Sequence, residues 1–301
     1  MQASNRVHSS HLQQAAQKKE QGFTLIELSI VLVIIGLIIG GVLVGQDLIR
    51  AAEVRATVSQ VEKYNTAVNT FRGKFNALPG DLNSIVQSTF GFAARGTGTP
   101  PTGQGDGNGL IEGADGSGGL KQGGGETGLF WVDLSSSVGG NLIDGGFSTA
   151  TAAGTPTTTA SGTGASSNDS YLPQAKLGRG NYLYTYSSSG INYFGLSAPS
   201  GTNPLNSGVL TSSKSLSVSQ AYNIDKKVDD GYPLSGNVTA SYLTAGAVTW
   251  SVAGVSTNAA GTAASASTCY DNGNSAGATN QYSMGTNNGG GANCAMSFRF
   301  Q

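Results

Sequence analysis

The residues of this chain best placed to do chemistry are carboxylates. The only histidines are His8 and His11, and the only cysteines are Cys269 and Cys294. Beyond Gly22 there is thus no imidazole for a Ser-His-Asp or Cys-His arrangement, nor for a His-ligated zinc site. A carboxylate-pair hydrolase remains conceivable, but no spacing argues for one. The other use of acids is ligation. Asp106, Asn108 and Glu112 alternate with glycines between Gly105 and Glu112, as the oxygen ligands of a calcium loop would. An EF-hand match fails in detail, because Ile111 stands where the turning glycine belongs and Ser117 where the final bidentate Glu belongs. The alternative is a glycine-rich turn whose Asp and Asn bond to their own backbone. Cys269 and Cys294 bracket a polar, glycine-rich segment with little else to fix it. Paired, they would contribute roughly 3–4 kcal/mol in the loop-entropy model and would fit an exported domain; the alternative is two free thiols.

One acid stands in a different setting. From Phe23 to Gly45 the only polar side chains are Thr24, Glu27 and Ser29. At ~1.5 Å per residue this run makes roughly 34 Å of helix, enough to cross a bilayer core of ~30 Å. A carboxylate in hydrocarbon costs a few kcal/mol even on lenient scales, so Glu27 needs a partner or a function. Residues 1–22 are polar, with Arg6, Lys18 and Lys19 against Glu20, and read as a cytoplasmic leader. A secretory signal would place small residues after the apolar segment. Here Gly22 precedes it and Gln46-Asp47-Leu48 follows, so a cut at Gly22 leaves the apolar helix on the mature protein.

Gly22, Phe23 and Glu27 in Gly22-Phe23-Thr24-Leu25-Ile26-Glu27 resemble the type IV pilin and pseudopilin superfamily. The resemblance implies cleavage by prepilin peptidase between Gly22 and Phe23, and N-methylation of Phe23. It implies that Glu27 neutralises the amino terminus of a neighbouring Phe23 during assembly. The charge logic agrees, since the cut creates an ammonium four residues from that acid. The implied fold is α+β and pilin-like, with a long N-terminal helix packed on an antiparallel β-sheet domain. The implied organisation is leader 1–22, membrane or filament-core helix 23–46, amphipathic continuation 47–76 and globular domain 77–301. The implied partners are other pilins or copies of the chain, prepilin peptidase, an inner-membrane assembly platform and, before assembly, membrane lipid. The implied location is the bacterial inner membrane, with the C-terminal domain periplasmic, and then the pilus at the cell surface. Cys269 and Cys294 are similar to the pair that bounds the C-terminal loop of pilins. Many pilins carry a proline midway along the apolar half; here Gly40, Gly41 and Gly45 are the weak points instead.

The elements that must hold these groups follow from patterning. Leu48, Ala51, Val54, Val58, Val61, Val68, Phe71 and Phe75 recur at spacings of three, four and seven, extending the helix from about Thr24 to Asn76 until Pro79-Gly80 forbids continuation. After it, Leu78-Pro79-Gly80-Asp81, then 105–112, then Glu126 with 129–134 stand in an order similar to a group of large pilin-like proteins. So does 220–233, which reads as a short helix with crowded acids at Asp225, Asp229 and Asp230, calling for Lys226, Lys227 or Arg299 as compensation, with a bound cation such as calcium as the alternative. A further helix is predicted over 126–136, and strands over 181–186, 191–196, 238–243, 247–252 and 295–300, with one covered face. Runs 149–170 and 255–268 read as exposed Ser/Thr/Gly/Ala loops, with Thr155 to Ser161 open to O-linked sugar. Only 11% of the 301 residues are charged and the formal net charge is −1, which argues against a nucleic-acid binder. The reading is a structural filament subunit and no enzyme. A type II secretion pseudopilin or minor pilin is the alternative, and a monomeric anchored periplasmic binding domain lies outside the superfamily.

Overall fold

Helix α1, Leu25–Phe75, begins where side chains can cap it. Thr24 Oγ1 accepts from the Glu27 amide at 3.3 Å, and Glu27 Oε2 accepts from the Thr24 amide at 2.8 Å, a reciprocal capping box. Helical geometry then continues through Gly40, Gly41 and Gly45. The helix stops at Asn76, whose φ of 53° is left-handed while its amide bonds Arg72 O; the chain leaves the helix before Pro79 is reached. This computed structural model describes residues 23–92, 105–112, 125–147, 169, 172–202, 210–213, 215–242, 248–249, 268–273, 278–285 and 287–300. The leader and the Ser/Thr-rich runs 149–168 and 255–267, with Thr155 to Ser161 inside the first run, lie outside the described residues.

The chain divides into two units, Met1–Leu48 and Ile49–Gln301. In the first, the described residues are the apolar half of α1, with its large side chains exposed all round. In the second, the remainder of α1 turns a single stripe inward: Val54, Val61, Tyr64, Val68, Phe71 and Phe75 are buried. Short helices α2 (Ser84–Phe90) and α3 (Glu126–Ser135) follow, then β1 (Tyr182–Ser188), β2 (Ile191–Thr202), β3 (Leu210–Ser213), α4 (Val218–Val228), β4 (Val238–Tyr242), β5 (Val248–Thr249), β6 (Tyr270–Asp271), β7 (Gln281–Tyr282) and β8 (Cys294–Arg299). The main sheet runs β4-β8-β2-β3-β5, with β1 also paired to β2, and all its pairings are antiparallel; β6 and β7 form a separate hairpin. The architecture is α+β, a long helix packed on an antiparallel sheet.

Aromatic rings join the helix to the sheet. Trp131 of α3 meets Tyr64 of α1 at 4.9 Å edge-on and stacks near Phe194 of β2, while Phe130 faces Phe194 and Phe300. The tyrosines of β1 correct the expectation of one covered face: Tyr182, Leu183, Tyr184, Thr185 and Tyr186 are all buried, so both faces are covered. Their hydroxyls are served internally, Tyr184 by Ser197 and Tyr186 by Ser297. Tyr184 lies opposite Gly195, and a Cβ there would stand 1.8 Å from its ring. Gly195→Ala therefore forces the ring out of place and destabilises by about 1–3 kcal/mol, read as a lower urea midpoint.

Strands β3, β6 and β7 and helix α2 had no matching expectation. They are two to seven residues long, too short for periodicity to show. Helix α2 is set by its ends, since Asn83 Oδ1 accepts from the Val86 amide and Gly91 takes φ 77°.

Candidate functional site

The first candidate site is the start of α1. Phe23 is 87% exposed and immediately precedes the cap; Gly22 falls outside the described residues. Glu27 sits in the first helical turn, where the positive end of the helix dipole favours an anion. Its Oε2 accepts from both the amide and the hydroxyl of Thr24, each at 2.8 Å. Glu27 thus has a local structural role that its place in the motif did not disclose. The signal was present in the sequence as Thr24-x-x-Glu27, the capping-box spacing. From Leu25 to Ile49 the flanking large apolar side chains are exposed, a surface at home in lipid or in a helical bundle but not in water. This helix is long and apolar enough to cross a membrane.

The second candidate site ties together three motifs that are far apart in the chain. Asp81, just after Pro79-Gly80, accepts from the Gly107 amide through Oδ1 at 2.6 Å and from the Gly109 amide through Oδ2 at 2.8 Å. Glu126, the first residue of α3, accepts from the Asp106 and Glu112 amides at 3.3 and 2.8 Å. Asp133, two turns along α3, accepts from the Gly80 amide at 2.6 Å. Asn192 of β2 completes the clamp, receiving the Ile111 amide and donating to Gly109 O. Gly107 and Gly109 both take positive φ, 78° and 85°, which lets the loop turn two amides onto one carboxylate. The loop 105–112 is therefore positioned by acids supplied from outside it.

This arrangement redistributes the expected ligand set. Asn108 turns its Nδ2 toward Asp106 and Glu112, while its Oδ1 accepts from the Leu110 amide. The trio Asp106, Asn108 and Glu112 therefore does not offer three oxygens to a common point. The carboxylates that do approach one another are Asp81, Asp106 and Glu126, each with a ligand oxygen within 4.8 Å of the others. Those three could hold a hard cation such as calcium, and Asp225, Asp229 and Asp230 form a second group of the same kind. Asp81 and Glu126 carried no ligand role in the sequence reading because 25 and 20 residues separate them from Asp106.

Two buried acids in contact cannot both ionise cheaply. Burial pushes Asp81 up to about 6 against the pull of the Gly109 and Gly107 amides. Burial, and then the Asp81 charge, push Glu126 up to about 9. Of the two, Glu126 is the one more strongly driven toward its protonated form. Because both folded values lie above the unfolded ones, this contribution to stability is full below about pH 4, falls most steeply from there to about 6 and is exhausted by about 9. Thermal melts in the presence of chelator should fall over that window. Glu126→Gln should flatten the fall while lowering the acid-side midpoint, since an amide offers one acceptor where two amides donate.

The acids of α4 are compensated differently from expectation. Asp225 is buried, accepts from Tyr282 Oη at 2.7 Å and from the Gly231 amide, and is pushed up to about 6 by burial. Asp229 accepts from the Asn237 and Val238 amides, and Asp230 from the Tyr232 amide and Ser235 hydroxyl. Backbone amides and hydroxyls fill the places assigned to lysines, because the chain folds back over the helix end; Lys226 reaches Tyr222 Oη instead. Cys269 and Cys294 are joined, with their Cα atoms 5.1 Å apart.

Residues 17–43 match the family model of the prokaryotic N-terminal methylation motif, the signature shared by type IV pilins and pseudopilins. No curated protein and no solved structure matches the chain. The chain carries this signature on a long apolar helix that continues into an α+β domain, an arrangement that supports a type IV pilin-like or pseudopilin protein. This points to a structural subunit anchored through its N-terminal helix and not to an enzyme.

Proposed function

We propose that the chain is a structural subunit of a type IV pilus-like filament, cut by prepilin peptidase after Gly22, methylated on Phe23 and assembled through α1. The observation that carries this reading is the exposed apolar half of α1 with one carboxylate in its first turn. Such a surface needs lipid before assembly and other helices after it. Glu27 has one oxygen engaged by Thr24, and Oε1 is left for the ammonium of a neighbour's Phe23. In this reading the leader stays cytoplasmic, the second unit is periplasmic, and extraction by an assembly platform carries the subunit to the surface.

Mass spectrometry of the purified protein tests the first step: a chain starting at methylated Phe23 is expected, and one retaining residues 1–22 overturns the processing. A pseudopilin or minor pilin would carry the same N-terminus. Shearing separates these, since a filament subunit is recovered in the sheared fraction in quantity.

A further inference from the structure

A cavity of about 630 Å³ opens beside the second-unit part of α1, lined among others by Gln60, Lys63, Tyr64, Phe147, Asp169 and Lys176. Its size falls within the roughly 300–1,000 Å³ of small-molecule sites. The wall is preorganised. Gln60 donates to Tyr64 Oη and Gln174 O and accepts from the Lys176 amide, which pins residues 174–176 to the helix. Asp169 is held through Oδ1 alone, by Tyr182 Oη at 2.6 Å and Gln174 Nε2 at 2.7 Å; among the described residues Oδ2 accepts nothing. Phe147 is half-exposed, and Trp131 stands behind it at 6.4 Å.

The charges select the ligand class. The lining holds two cations, Lys63 and Lys176, and two acids, Asp144 and Asp169, with Lys63 and Asp144 already paired. An anion would face both carboxylates and a cation both ammonium groups, so neither is favoured. What remains is a half-buried aromatic ring, a carboxylate acceptor held by Tyr182 and Gln174, and lysine donors. That set suits a ligand with apolar C–H faces and many hydroxyls. We propose that this cavity binds a neutral saccharide, lying against Phe147 with a hydroxyl on Asp169. The site lies wholly in the second unit and does not depend on assembly, so its failure would leave the filament reading intact.

Saturation-transfer NMR on the full-length chain in a sugar-free detergent, titrated with maltose, cellobiose and lactose, tests it. Saturable binding of at least one is expected, weakened about fivefold by Asp169→Asn and by Phe147→Leu, the factor for one lost hydrogen bond or ring contact. Both variants keep the shape of the wall, and unchanged melts establish that they fold. The proposal is overturned if none of the three disaccharides saturates, if both variants bind as tightly as the parent, or if glucosamine or glucose 6-phosphate binds more tightly than its neutral counterpart.

Discussion

Glu27→Gln should leave the subunit folded, inserted and processed, yet reduce the sheared filament fraction by roughly 10²- to nearly 10⁴-fold in association terms. That factor corresponds to the about 3–5 kcal/mol lost when one partner of a buried ion pair is removed and the other charge is left alone. Glutamine makes this a clean substitution, because a capping box accepts Gln at the third position as readily as Glu. The cap between Thr24 and residue 27 survives and only the charge is lost. Thr24→Ala is the complementary variant. It removes the hydroxyl bonds and costs about 1 kcal/mol of helix start while keeping the carboxylate. Quantitative blots of sheared and membrane fractions should therefore show a severe loss for Glu27→Gln and a mild one for Thr24→Ala. Normal polymerisation of processed Glu27→Gln subunits would remove the electrostatic docking account, and equal losses in both variants would make helix capping the relevant property.

The second large effect concerns the C-terminal segment. Replacing Cys269 and Cys294 together by alanine should cost about 3–4 kcal/mol, since the bond closes a loop spanning a separation of 25 residues in the unfolded chain. In a domain of this size that lowers the melting temperature by roughly 10 °C. The sequence suggested a segment with little besides the disulfide to hold it, and the structure corrects this. Tyr282 bonds the buried Asp225 of α4, Thr268 bonds Ser283, and Ser283 bonds Asp271. Cys294 itself opens β8, with its amide bonded to Leu216 O. The segment is therefore continuous with the core. Loss of the cross-link should appear as a shift of the whole cooperative transition, with no separate early phase. Calorimetry of the double variant, or of the parent under reductant, measures this, and an unshifted melt would show that the unfolded chain is not constrained by the bond.

Legibility followed the range of the interactions. Helix α1 was readable almost to the residue because an unbroken apolar run is followed by apolar spacings of three, four and seven from Leu48 to Phe75, and its cap lies in four consecutive residues. Helices α3 and α4 and strands β1, β2, β4 and β8 were readable from runs of ordinary length. The pieces around 78–81, 105–112 and 126–134 were visible as motifs, but nothing in them announced that Asp81 and Glu126 would take the amides of the middle one. The two covered faces of β1 were equally hidden, since alternation shows which side chains share a face and not what packs on it.

Local order alone determined where this chain is apolar enough to cross a membrane, where its long helix starts, which acid guards that start and which class of protein it resembles. Tertiary structure decided which acids meet and which backbone amides each of them takes. The physical reason is that capping, periodicity and hydropathy act within a few turns of one element. The ionisation of Glu126 depends instead on desolvation and on a charge brought beside it from 45 residues away.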